Sequence, residues 1–150
     1  MEKQKLLISS CLLGELVKYN GSHNLVDEVN LNKLQSSFEI FSICPEVSGG
    51  LPAPRPPCEL IDGKVLGDNG IDFTKEFIDG ANITLELCKK EGINLALLKQ
   101  NSPSCSNDYI YDGTFSHTKI LGQGVTAKLL AQNGIKVFNE TQIDSLCEKK

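Results

Sequence analysis

The chain has 150 residues, a net charge of −4 and 40% hydrophobic residues, which is enough for a sizeable buried core. This ordinary composition excludes a disordered chain, a collagen repeat and a membrane span. The acidic balance argues against a partner held mainly through phosphate neutralisation, such as duplex nucleic acid, and favours a small molecule of little charge.

Ile8-Ser9-Ser10-Cys11, following Lys3 and Lys5, has the outline of a lipoprotein cleavage site. Only Leu6, Leu7 and Ile8 separate the last lysine from the serines, whereas a secretory leader needs an apolar stretch of about 7–15 residues. The chain therefore reads as cytoplasmic.

The first element is the apolar run Lys5–Ser9, a buried strand halted before Cys11 and Gly14. A helix is expected around Val29–Ser37. Phe38–Cys44 is rich in β-formers and is stopped by Pro45, which marks a second strand. The proline-rich stretch from Gly49 to Pro57 reads as a stiff, extended loop. Two short runs on either side of Asp62-Gly63 then carry a hairpin signal.

Phe73–Glu91 is the clearest helix, with Phe73, Phe77, Ala81, Leu85 and Cys88 on one face. Asp72 suits its start, and Lys89, Lys90 and Gly92 suit its end. Ile93–Lys99 is a third buried strand, and Tyr109–Phe115 holds another hairpin signal at Asp112-Gly113. A helix from about Gly124 to Asn133, a strand Ile135–Phe138 and a helix Glu140–Cys147 complete the chain. Strands separated by helices require crossover connections. The expected fold is α/β: one three-layer domain over residues 1–150, with a mainly parallel sheet and β-hairpin insertions.

Six cysteines in a cytoplasmic chain point to metal ligands, catalytic thiols or core fillers rather than to a disulfide framework. No C-x-x-C pair is present, so any shared site must be assembled by the fold. Cys11, Cys44 and Cys105 each follow a strand, and in a parallel sheet those ends share the edge where ligands bind. Convergence of the three on one site and three unrelated cysteines are equally weighted at this point. Convergence would leave one coordination position open on zinc or on an iron–sulfur cluster, as in catalytic metal sites. Cys88 belongs to a helix core face, Cys147 lies near the C-terminus, and Cys58, just after the proline-rich loop, is open between a fourth ligand and a thiol near the site.

The sequence resembles the thiouracil desulfidases, a family of small bacterial proteins formerly classed as a domain of unknown function. The stretches that carry the resemblance are Ser10-Cys-Leu-Leu-Gly14 with Tyr19-Asn-Gly21; Cys44-Pro-Glu46 with Gly49-Gly-Leu51 and Pro54-Arg-Pro56; Glu59-Leu60; Lys99 with Ser102-Pro-Ser-Cys105; and Gly122-Gln-Gly-Val-Thr-Ala127. The resemblance implies a [4Fe–4S] cluster on Cys11, Cys44 and Cys105. It also implies non-redox removal of sulfur from a thiolated pyrimidine, with Glu46 and Ser102 as catalytic residues. Departures are Lys18 where arginine is common, the additional Cys58, and Ser106 where glycine is usual.

With that chemistry, Glu46, two residues from Cys44, suits a general acid/base; the alternatives are a solvated glutamate or a partner of Arg55. Ser102 and Ser104 suit substrate orientation, proton relay or a hydrogen bond to the cluster, and equally a turn cap. Arg55 and Lys99 are candidate substrate-binding cations. Gly122-Gln-Gly124 before a helix is a candidate anion cradle. His23 and His117 read as surface residues. The competing functions are a non-catalytic iron–sulfur or zinc module for redox sensing or sulfur transfer, and a plain α/β domain with structural cysteines.

Overall fold

The computed structural model describes residues 3–16, 18–100, 102–107 and 109–148. In chain order the elements are β1 (Gln4–Ser9), α1 (Glu28–Ser37), β2 (Phe38–Ile43), α2 (Pro45–Ser48), β3 (Cys58–Ile61), β4 (Lys64–Gly67) and α3 (Thr74–Glu91). They continue with β5 (Leu95–Leu98), β6 (Tyr109–Tyr111), β7 (Lys119–Leu121), α4 (Val125–Gln132), β8 (Lys136–Asn139) and α5 (Ile143–Glu148). Short 3-10 turns, Ser10–Leu13 and Glu140–Gln142, follow β1 and β8.

The central sheet is parallel throughout, in the order β2-β1-β5-β8. Its inner strands read as unbroken apolar runs because both faces are covered. Leu6, Ile8, Leu95 and Leu97 face Leu34 of α1 and Ile143 and Leu146 of α5. Leu7, Ala96 and Leu98 point the other way, against Leu85 and Cys88 of α3 and Ala127 and Leu130 of α4. The expected three-layer α/β fold with a mainly parallel sheet is therefore what the chain adopts.

Two antiparallel hairpins stand off the sheet. The β3–β4 turn places Asp62 (φ 48°) and Gly63 (φ 79°) in the left-handed region, as a two-residue hairpin turn with right-handed strand twist requires. The second hairpin differs from the expectation: Asp112-Gly113 opens a seven-residue connection, 112–118, and Lys119–Leu121 returns as β7. Asp112 spends its carboxylate inside that loop, accepting from the Thr114 N–H at 2.9 Å. Helix α3 keeps its expected core face and adds Gly80 and Thr84 to it. The helix starts at Thr74, with Phe73 and not Asp72 at the capping position; Asp72, one residue earlier, accepts from the Thr74 N–H at 2.8 Å in a local turn.

Helix α2 was not expected. Its four residues are too few for periodicity, and Pro45, which stops β2, also occupies the first helical turn, where proline fits.

Candidate active site at the carboxyl edge of the sheet

The chain leaves β1 for β2 on one side and returns to β5 on the other. The crevice past the carboxyl ends of such strands is the usual ligand site of open α/β sheets. A cavity of about 380 Å³ lies there, in the range of small-molecule sites.

Cys11, Cys44 and Cys105 all line it. The turn Ser10–Leu13 holds Cys11, whose carbonyl accepts the Asn24 N–H at 2.8 Å. Cys44 follows β2 and occupies the N-cap position of α2. Cys105 sits in a tight turn where Ser102 Oγ accepts the Ser104 and Cys105 N–H groups at 3.1 and 3.0 Å. Burial pushes all three thiols up from the ordinary cysteine range. Against that, each sulfur has a hydrogen-bond partner: the Asn24 side chain at Cys11, the Val47 backbone at Cys44 and the Ser9 hydroxyl at Cys105. The Ser9 hydroxyl also accepts the Lys99 N–H at 3.1 Å, tying the ends of β1 and β5 together. Among the described residues no three His, Cys, Asp or Glu side chains are gathered for a single metal ion.

Cys58 is a fourth thiol in the lining. Burial pushes it up to about 12, and the Glu46 carboxylate adds to the shift. Its thiol donates to the Pro56 carbonyl at 3.4 Å.

Glu46 is carried by α2, and close packing sets its position. A Cβ on Gly80 would overlap the Pro45 carbonyl, and one on Gly49 would overlap the Glu76 carbonyl. Two glycines thus let the backbones of α2 and α3 touch. The Glu46 carboxylate meets the Arg55 guanidinium at 3.3 Å, both side chains being largely buried. Burial pushes the Glu46 carboxyl up, and the charge and hydrogen bond of Arg55 pull it down. Arg55 also donates to the Pro52 carbonyl at 3.1 Å, leaving its buried Nε–H without a partner. Arg55 is thus engaged with Glu46 as well as lining the cavity.

Lys99 lines the cavity too, held at 2.7 Å from Glu140, with a second bond to the Gln100 carbonyl. Ser102 lines the cavity, whereas Ser104 does not. Ser104 is fully buried and shares a 2.8 Å hydrogen bond with Thr126, so its expected contact with substrate is not what the fold provides. The reason is local: the turn that presents Cys105 points its neighbour into the protein. Ser106 is buried as well, with its hydroxyl on Gln100 and the Tyr109 carbonyl.

The glycines before α4 are not an anion cradle. The N–H groups of Gly124, Val125 and Thr126 are taken by the carbonyls of Ser106, Pro103 and Ser104. A Cβ on Gly124 would overlap the Ser104 backbone, so this glycine allows α4 to cap the cysteine turn. The cavity lining also includes Tyr19, Asn24, Glu59, Tyr111 and, at its exposed mouth, His117. His117 is exposed as expected, yet it lines the mouth; it lacks any spacing to a ligand partner that would have marked it. His23 is an exposed loop residue that accepts the Leu25 N–H.

Fold and cavity together define an α/β protein with a thiol-lined cavity of small-molecule size at a sheet edge. The sequence model of the 2-thiouracil desulfurase family matches residues 6–142, and the chain belongs to that family. It is 39% identical over 151 residues to the uncharacterised protein YbbK of Bacillus subtilis (strain 168), spanning 94% of this chain and 99% of that protein. The solved structure of the [4Fe-4S]-dependent thiouracil desulfidase TudS superposes with a TM-score of 0.94 at 42% identity, covering 98% of this chain and 97% of the other. No helix among the described residues is long and apolar enough to cross a membrane.

Proposed function

We propose that this protein is an iron–sulfur-dependent desulfidase that converts a thiolated pyrimidine into the oxo-pyrimidine, with Cys11, Cys44 and Cys105 holding a [4Fe–4S] cluster. The observation that carries this reading is the meeting of these three cysteines with Glu46 at one cavity, in a chain of the desulfurase family.

The donor set fits the cluster. Three buried thiols resist ionisation on their own, and a cationic centre supplies the charge that makes them thiolates. A zinc ion needs its donors about 2.3 Å from one point, and among the described residues no three such side chains are gathered that way. Held by Cys11, Cys44 and Cys105, such a cluster would supply soft Lewis acidity toward a thiocarbonyl sulfur.

The net change exchanges sulfur for a water oxygen. A C=S bond becomes C=O, both water protons leave with sulfur as hydrogen sulfide, and no electrons are gained or lost. Glu46 takes a proton as water adds to the carbon and returns it as sulfur departs. Ser102, with its oxygen occupied by two backbone N–H groups, retains its own proton to donate to the substrate. Lys99, fixed by Glu140, has one remaining N–H donor for a substrate oxygen or ring nitrogen. Arg55 holds Glu46 in place and limits the rise of its pKa.

Anaerobic reconstitution tests the assignment. The expected product is brown, absorbs near 400 nm, carries about four iron and four sulfide per chain, and releases sulfide from 2-thiouracil or 4-thiouracil. Cys11→Ala, Cys44→Ala and Cys105→Ala should each lose both colour and turnover; full activity in any one removes that residue from the ligand set. A loaded cluster with no sulfide release would identify a sensing or sulfur-transfer module instead. A colourless protein holding one zinc would sink the cluster assignment.

The Arg55–Glu46 pair adds a pH prediction. With Glu46 acting as a base, activity falls as pH drops through its pKa, which burial places above the usual carboxylate range. Arg55→Met removes the charge that pulls this pKa down, so the acid limb should move to higher pH. A limb that stays put or moves down would exclude Glu46 as its source.

A further inference from the structure

The 112–118 connection follows β6, whose last residue Tyr111 lines the cavity, and it adds the exposed His117 to the same lining. Its conformation is unusual. Phe115 (φ 56°) and His117 (φ 60°) both lie in the left-handed region, which bulky residues occupy only when the surroundings enforce it.

The enforcement comes from Glu59 on β3. This residue is only 8% exposed, and its Oε1 accepts the Gly113 N–H at 2.9 Å and the Phe115 N–H at 3.2 Å. A carboxylate accepting two backbone donors forms strong, charge-assisted bonds, and its burial is tolerated because of them. Gly113 (φ 94°) lies so close to β3 that a Cβ there would overlap Ile61. Inside the loop, Ser116 links Thr114 at 2.5 Å and Thr118 at 2.9 Å, and the Asp112 N–H closes on the Thr118 carbonyl at 2.9 Å. The His117 ring then stands edge-on to Tyr111, with centroids 6.5 Å apart.

The geometry points to a substrate-recognition arm: His117 contacts the pyrimidine on the side away from the cysteines, and Glu59 is the positioning residue that holds the arm in place. The identity of the ligand rests on the desulfidase reading. The thiols and Glu46 take the end of the substrate that reacts, and the rest of the ring extends to the mouth, where the imidazole and phenol meet it. The arm therefore governs affinity, and Glu59 acts only through it.

Two measurements on the reconstituted holoprotein test this. The first is binding of uracil, the oxo-pyrimidine, by calorimetry, which needs no turnover. His117→Ala and Glu59→Ala should each weaken binding by about tenfold, because either change removes the same wall. The double variant should be no weaker than the single ones. Glu59→Gln keeps a carbonyl acceptor for both N–H groups and should stay within about threefold of wild type. The second measurement is steady-state kinetics, in which His117→Ala and Glu59→Ala should raise KM by a similar factor and leave kcat within about twofold. Iron content near 400 nm serves as the check on folding in every variant. Unchanged uracil affinity in either single variant overturns the inference, as do losses that multiply in the double variant or a fall in kcat at constant KM. Failure of the wild type to release sulfide, with uracil binding still dependent on both residues, would overturn the desulfidase reading and leave the arm standing.

Discussion

Glu46→Gln is expected to lower kcat by about 10²–10⁴-fold, the usual worth of a positioned general acid or base, while iron and sulfide content stay at wild-type levels. Glutamine keeps the shape and an acceptor for Arg55, so the 3.3 Å contact with the guanidinium can persist. What is lost is the ability to hold a proton. Burial matters here because it pushes the carboxyl toward the pH at which an exchangeable proton is useful. Arg55 opposes that rise, because its charge and hydrogen bond pull the carboxyl back down. Glu46→Asp should recover part of the activity, since it restores the acid at a shorter reach. Wild-type turnover in Glu46→Gln would remove the residue from the chemistry. Loss of iron in the same variant would reassign it to holding α2 and Cys44.

Gly80→Ala should destabilise the protein by about 3 kcal/mol or more, the upper range for a forced side chain in a packed core. Helix propensity alone says the reverse, because alanine in a helix interior is favoured over glycine by about 1 kcal/mol. The contact with α2 decides the sign. A methyl group on Gly80 would overlap the Pro45 carbonyl, and rigid backbone on both sides leaves nothing that can rotate away. Either α3 shifts, disturbing Phe77, Ala81 and Leu85, or α2 is displaced together with Cys44 and Glu46. Both routes predict a lower midpoint in denaturant and reduced iron retention. Unfolding at the wild-type midpoint, with full iron content, would mean that α2 does not press on α3 as described.

The elements that were legible in the sequence share a physical cause. β1 and β5 are buried on both faces, so they read as continuous apolar runs. α3 is long enough for its three-and-four spacing to stand out, and Gly92 (φ 70°) ends it in the left-handed turn its composition announces. Asp62-Gly63 was legible because few residue pairs adopt that turn. Elements without such signals were not foreseen. α2 has only four residues, β7 is exposed along its length, and Asp112-Gly113 opens a long loop because Asp112 and Glu59 take up its N–H groups.

The site divides in the same way. Strand ends in a parallel sheet share one edge, so the order of elements put Cys11, Cys44 and Cys105 at that edge, and the fold lines one cavity with all three. Sequence by itself thus determined the layers, the edge and the thiols available there. Tertiary structure alone decided the rest: that Glu46 is clamped by Arg55, that Lys99 is held by Glu140, that Ser104 turns inward to Thr126, and that Glu59 grips a loop more than fifty residues away. These pairings depend on close approaches at Gly49, Gly80, Gly113 and Gly124. A glycine in sequence marks only permission for such an approach; the partner that comes close is chosen by the packing of the whole chain.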